Sequence, residues 1–244
     1  MTTHVYISPH LDDAVISCGG LIARQAACGE TVAVLTVCAG DPPQGPLSDF
    51  ARTLHMDWQV SESPVQSRRR EDLAACKRLG ATAVHLEIPD AIYRLSLSSQ
   101  PLYPSFDDIF GPLHPAEDEL VQELARSLNA HISPDDHLYG PLAFGAHVDH
   151  RLARLAAELL DRPLLYYRDM PYGFRDSILP ADLPLPAGKE HLFVLTTSEI
   201  NAWQEAALEY RSQISSFWDS DQAVLAELVA YHEASGGLKL IERS

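Results

Sequence analysis

The sequence predicts an α/β fold with a mainly parallel sheet covered by helices on both faces. Short β-branched or aromatic runs alternate with longer helical segments along most of the chain, the pattern of βαβ units. One run, TVAVLTVC over 31–38, is apolar without alternation, as expected of a strand buried on both faces. No repeat, low-complexity tract or linker interrupts the 244 residues, so a single domain over 1–244 is expected.

The first run, HVYIS over 4–8, is a strand. Pro9 to Asp13 turns the chain, and 14–28, rich in small and apolar residues, is a helix. The 31–38 strand ends at Ala39-Gly40-Asp41, after which Pro, Gly and Ser crowd 41–64, read as a long loop. A charged amphipathic helix over 66–79 stops at Gly80, and AVHLEI over 83–88 is a third strand closed by Pro89. Residues 90–115 are irregular, with aromatics and prolines suited to covering a pocket. A helix over 117–130, a fourth strand over 137–143 weakened by Pro141, and a helix over 147–160 follow. Two short strands are expected at 164–167 and 191–196. The stretch 198–233 reads as helical with a break near Asp219. Trp203, Tyr210 and Phe217 recur every seven residues, as one helical face would, to serve the core or a homo-oligomer contact.

With 18 Lys and Arg against 34 Asp and Glu, the net charge is −16, a field that repels nucleic acid and anionic membranes. Cys18, Cys28, Cys38 and Cys76 form no CxxC pair and no zinc framework, and their apolar surroundings suit reduced core thiols. Met1-Thr2-Thr3-His4 lacks the basic and apolar regions of a signal peptide, and no apolar run approaches the roughly 20 residues of a membrane span. A cytoplasmic protein without a membrane span is therefore expected.

Two segments fall where a strand gives way to a helix, the place where open α/β sheets bind ligands. The first is Ser8-Pro9-His10-Leu11-Asp12-Asp13 and the second Gly145-Ala146-His147-Val148-Asp149-His150. A catalytic zinc takes three nitrogen or oxygen ligands and leaves one position for water. His10 and Asp13, three residues apart across a turn, can converge on one ion, and His150 on the other segment is available as a third ligand. Such a set favours Zn2+, one per chain, although Fe2+ or Co2+ can occupy the same geometry. Zinc lowers the pKa of its water to about 7, and Asp12, beside Asp13, can accept that water's proton as general base. His147, kept protonated by a carboxylate such as Asp149, could stabilise an oxyanion or protonate a leaving amine. Alone, the first segment also reads as an ordinary helix start with Asp12 or Asp13 as the cap, and His147-x-x-His150 as an exposed helix face. The other eight histidines have no such context and read as structural or surface groups.

The same residues resemble the LmbE-like, or PIG-L, family of zinc-dependent deacetylases. Its first motif, roughly (A/P)-H-x-D-D followed by a Gly-Gly pair, is matched by Pro9-His10-Leu11-Asp12-Asp13 and Gly19-Gly20. Its H-x-D-H motif is matched by His147-Val148-Asp149-His150. Arg68, Glu71 and Leu79-Gly80 fit the intervening R-x-x-E and Leu-Gly pattern, and Asp90 fits a further acidic position. Leu11 stands where many members have Pro and Ala14 where many have Glu. The resemblance implies a Rossmann-like, three-layer αβα sandwich that hydrolyses the N-acetyl group of an N-acetylglucosamine-type conjugate. It further implies His10, Asp13 and His150 as zinc ligands, Asp12 as general base, His147 as the charged residue at the oxyanion, and Arg68 as a grip on sugar hydroxyls. The expected partner is a small amino-sugar substrate.

Two other readings compete. One is a metal-dependent hydrolase of another amide or a phosphoester. The other is a non-catalytic sugar- or nucleotide-binding module, weakened by the lack of G-x-G-x-x-G after the first strand and of a P-loop.

Overall fold

The computed structural model describes residues 2–58, 63–175 and 178–243; parts of the expected 41–64 loop and both ends of the expected domain lie outside them. Five strands run parallel: β1 (Thr3–Ser8), β2 (Thr31–Thr36), β3 (Thr82–His85), β4 (His137–Pro141) and β5 (Leu164–Tyr167). Two more, β6 (Gly188–Phe193) and β7 (Leu238–Arg243), pair antiparallel, and β7 joins β5. The sheet order is β3-β2-β1-β4-β5-β7-β6. Because β2 lies on one side of β1 and β4 on the other, the strand order reverses between β1 and β4. That reversal is the switch point where such sheets open a crevice at their carboxyl ends.

Alternation along the strands sorts side chains to two layers of helices. On one face, Tyr6, Val32 and Val34 pack with α1 (Asp13–Ala27), α3 (Pro64–Leu79), α8 (Thr197–Ala207) and α10 (Asp221–Ser235). On the other, Val5, Ile7 and Leu35 pack with α5 (Asp118–His131) and α6 (Val148–Glu158). A third, smaller cluster gathers under α2 (Asp49–Asp57) and α4 (Phe106–Ile109), and α7 (Tyr172–Arg175) and α9 (Arg211–Phe217) complete the helices. The expected three-layer α/β sandwich is thus the observed one. No helix among the described residues is long and apolar enough to cross a membrane.

The Gly19-Gly20 pair has a packing cause. A Cβ on Gly19 would stand 2.4 Å from Trp203 Cδ1, and one on Gly20 2.4 Å from Leu195 Cδ1. Trp203 is fully buried and its indole N–H donates to the Val15 and Ile16 carbonyls at 2.9 and 3.0 Å, so it cannot retreat. Two glycines let α8 and the chain before it approach α1 this closely.

Several expectations need correction. The 41–64 stretch is not all loop: Ser48 accepts from the Ala51 amide at 3.1 Å and starts α2. The strand expected at 191–196 lies earlier, at β6, and β7 went unforeseen. The 198–233 stretch breaks near Asp219 as expected, between Phe217 and Asp221, but also after Ala207, giving three helices. Trp203, Tyr210 and Phe217 therefore share no single helix; Trp203 and Tyr210 are core, and Phe217 lines a cavity. Cys28, at the end of α1, is exposed, while the other three thiols are buried; all four are free.

Candidate metal centre

Both motifs occupy the switch point, one after β1 and one after β4. The turn after β1 is closed by Ser8, whose Oγ accepts from the Ala14 amide at 3.0 Å and donates to the His10 carbonyl at 2.7 Å. Asp12 makes no cap with its side chain, and the Asp13 carboxylate instead turns back to accept from the His10 amide at 2.8 Å. Neither aspartate serves α1 as an ordinary cap. After β4, the loop carries Ala143, Gly145 and Ala146 at φ of 63°, 82° and 65°, a left-handed path that is strained for the two alanines. It delivers His147 as the cap of α6, its Nδ1 accepting from the Asp149 amide at 3.2 Å, and His150 one turn on.

The two segments meet at Asp13. Its Oδ2 lies 3.1 Å from His10 Nδ1 and 3.3 Å from His150 Nε2. The ligand atoms of His10, His147 and His150 fall within 4.8 Å of one another. His150 is fixed from behind: its Nδ1 meets Asp169 Oδ1 at 2.7 Å, and Asp169 Oδ2 accepts from the Phe144 amide at 2.9 Å. Without a cation, Nε2–H of a charged His150 donates to Asp13; holding the Nδ1 proton on Asp169 is what would free the Nε2 lone pair for a cation.

The electrostatics express the same demand. Burial works against a charged His150, but Asp13 and Asp169 outweigh it and push its pKa up to about 10. His10 is likewise raised against burial, by Asp13 and Asp149. Burial also works against the Asp13 anion, yet the two imidazoles hold its carboxyl well below the ordinary range. Asp12 differs: burial, then the Asp13 charge, pushes it up to about 6. Its carboxylate stands 3.7 Å from the Arg68 guanidinium, beyond hydrogen-bond reach. The set of buried imidazoles and carboxylates fits a divalent cation.

His147 departs from expectation. Burial, then the nearby His10, holds its pKa well below the ordinary value, and its Nδ1 accepts from the Asp149 amide instead of carrying a proton. Asp149 does not orient its ring either. The Asp149 carboxylate accepts from the Ala91 amide at 2.9 Å, meets His10 Nε2 at 3.0 Å, and takes Arg94 Nη1 at 2.5 Å on its other oxygen. Arg94 in turn pairs with Glu117, which accepts from the Tyr103 hydroxyl at 2.6 Å. The irregular 90–115 segment is thus tied to His10 through a buried ion-pair chain.

Arg68 points into the site, with Asp12 at 3.7 Å and Asp90 at 3.8 Å, and its buried Nε has no partner among the described residues. Glu71, one turn along α3, accepts from the Ser212 amide and hydroxyl at 2.8 and 2.6 Å and so pins α9. Arg69 bonds the Ala39 carbonyl at 2.7 Å, away from the imidazoles. Asp169, Arg94 and Glu117 were not foreseen. Asp169 follows β5 by two residues, a strand-end placement that could have flagged it.

A mostly parallel sheet that gathers buried His and Asp donors at its switch point presents a site that could hold a metal ion. Residues 5–160 match the family described as PIG-L, GlcNAc-PI de-N-acetylase, and the chain belongs to it as a metal-dependent N-deacetylase. A 2'-N-acetylparomamine deacetylase of Niallia circulans is 29% identical over 226 residues, covering 86% of this chain and 80% of that protein. Another, of Streptomyces fradiae, is 32% identical over 188 residues, covering 70% of this chain and 58% of that one. Among solved structures, the zinc-inhibited form of teicoplanin deacetylase Orf2 superposes with a TM-score of 0.84 at 26% identity, covering 99% and 97% of the two chains. The A40926 pseudoaglycone deacetylase Dbv21 gives 0.78 at 27% identity, covering 99% and 95%.

Proposed function

We propose that this chain is a zinc-dependent hydrolase that removes the N-acetyl group from an N-acetylglucosamine-type amino-sugar conjugate. The observation that carries the reading is the meeting of His10 Nδ1 and His150 Nε2 on one Asp13 oxygen, at 3.1 and 3.3 Å. His10, Asp13 and His150 would hold the ion. When bound, a divalent cation supplies Lewis acidity, polarising an amide carbonyl and acidifying a water.

The chain's own groups do the rest. Asp12, raised towards neutrality by burial, takes the proton of the attacking water and returns it to the leaving amine nitrogen. His147, whose Nδ1 is occupied by the Asp149 amide, presents Nε2–H as a neutral donor to the carbonyl oxygen as charge develops there. Arg68 keeps donors for sugar hydroxyls, and Asp90 offers an acceptor beside it. Asp149 positions His10 rather than touching substrate. The amino-sugar class is supported by the family description, GlcNAc-PI de-N-acetylase, and by the relatives named as 2'-N-acetylparomamine deacetylases.

Elemental analysis and an acetate-release assay over N-acetylglucosamine conjugates test the reading. About one zinc per chain and chelator-sensitive acetate release are expected. Asp12→Ala should keep the metal and lose most turnover, whereas His150→Ala should lose the metal itself. A fully zinc-loaded His150→Ala protein would overturn the ligand assignment.

A further inference from the structure

The cavity that holds His10, His147 and His150, about 690 Å³ in volume, is also lined by Gln213 of α9. Gln213 is only 4% exposed, so it is no ordinary surface glutamine. A side-chain amide withdrawn this far from water needs partners for both its NH2 group and its oxygen.

The NH2 group has one, and the identity of that partner fixes which way the amide points. The Glu71 carboxylate accepts from the Ser212 amide at 2.8 Å and from the Ser212 hydroxyl at 2.6 Å. A carboxylate only accepts, so the single hydroxyl proton of Ser212 is committed to Glu71. Ser212 Oγ also meets the Gln213 side chain at 3.0 Å, and with no proton left to give it can only accept there. The atom facing it is therefore Nε2, and Oε1 lies at the free end of the amide. Oε1 accepts from no described residue, yet it is not among the sealed polar atoms of the interior. On a side chain that lines the cavity, that end faces the space a ligand occupies.

We infer that Gln213 is a specificity-determining residue whose Oε1 accepts a hydrogen bond from one hydroxyl of the bound sugar. This rests on the proposed amino-sugar N-deacetylase reading and adds to it a contact from beyond residue 160, where the family match ends. The sugar's other donor, the amide N–H, lies at the bond under attack, which leaves the hydroxyls to meet Oε1. A glutamine free to turn would serve a donor or an acceptor alike. Held by Ser212, this one accepts only, so a sugar lacking that hydroxyl leaves a fixed acceptor unpaired and is discriminated against.

The test uses methyl N-acetyl-β-D-glucosaminide and the three analogues that each lack one of its free hydroxyls. Acetate release is measured for the zinc-loaded wild type, Gln213→Met and Ser212→Ala, with melting temperature alongside. Removing one particular hydroxyl should cost the wild type about three- to tenfold in kcat/KM and cost Gln213→Met less than about twofold. The other two penalties should match those of the wild type. Ser212→Ala keeps the glutamine but frees its amide to turn, so the same penalty should shrink part of the way. A Gln213→Met protein that slows on all four sugars alike, with every ratio intact, would overturn the inference by making the residue merely structural. A wild type indifferent to all three hydroxyls would overturn it without recourse to any variant. An unaltered ratio in Ser212→Ala would overturn the claim that Ser212 orients the amide. No acetate release from any of the four would count against the deacetylase reading alone. The hydroxyl contact is then read from calorimetric dissociation constants of methyl β-D-glucosaminide, which carries no acyl group, and its analogues. There, the absence of a hydroxyl coupled to Gln213, or of any binding, would overturn the inference.

Discussion

Replacing Asp169 by Asn puts the reasoning about the metal centre at risk with the loss of a single oxygen. Asp169 is fully buried and uses both carboxylate oxygens, one for His150 Nδ1 at 2.7 Å and one for the Phe144 amide at 2.9 Å. Asn offers one acceptor and one donor, so it can serve only one of them. If its oxygen stays on His150, its NH2 faces the Phe144 N–H, and an unsatisfied buried amide costs about 1–3 kcal/mol. If its oxygen goes to Phe144, its NH2 meets Nδ1, and the His150 proton moves to Nε2, the atom that faces Asp13. In both arrangements, the support that aims a lone pair at the cation is weakened. Loss of such support typically costs 10–100-fold in metal affinity, equivalent to about 1.4–2.8 kcal/mol. The assay is zinc affinity by competition with a fluorescent chelator on folded protein, with melting temperature measured alongside. A dissociation constant within twofold of wild type, in a protein that melts normally, would refute the argument that His150 is oriented from behind.

Three further outcomes are expected. Gly19→Ala gains about 1 kcal/mol of helix propensity but forces a methyl to 2.4 Å from an immobile Trp203, where overpacking costs about 1–3 kcal/mol. The net should be a lower urea midpoint, and a rise would show that α8 can shift. Arg94→Met leaves the buried Asp149 and Glu117 carboxylates without their cation and should cost about 3–5 kcal/mol in denaturant melts; a loss below 1 kcal/mol would dismiss the ion-pair chain. Glu199 is held down at about 2 by the Arg24 guanidinium. Its contribution is therefore complete above the ordinary glutamate range and is lost as pH falls from about 4.5 towards 2. Glu199→Gln should cost roughly 0.5–1 kcal/mol at neutral pH and flatten that acid limb; an unchanged limb would assign the acid sensitivity elsewhere.

The motif residues were legible because their types, spacing and strand-end position agree on one chemistry. His10, Asp12, Asp13, His147 and His150 meet as the sequence suggested, since β1 and β4 lie side by side at the strand-order reversal. What Asp149 does was not legible. Its partners are His10, 139 residues away, and Arg94, 55 residues away, and no local spacing encodes such pairings. His147 was misjudged for a related reason: a neighbouring carboxylate in sequence implies a raised pKa only if it faces the ring. In the fold, α2 was hidden behind Pro and Gly residues, although Ser48-Asp49 with Phe50 and Leu54 four apart carries a helix-start pattern. β7 was hidden by length, six residues after Gly236-Gly237, with only Leu238 and Leu240 fully buried to mark its inward face.

Helix α3 serves two masters through side chains one turn apart. Arg68 reaches the catalytic floor, while Glu71 anchors Ser212 and with it the segment that sets Gln213, Ser216 and Phe217 along the opposite bank of the cleft. The family match stops at residue 160, well short of that bank. That bank is nevertheless tied to α3 at two successive positions, since next to Glu71 the Asp72 carboxylate accepts from the Tyr210 hydroxyl at 2.8 Å, so a change in α3 reaches the floor and the bank of the cleft together.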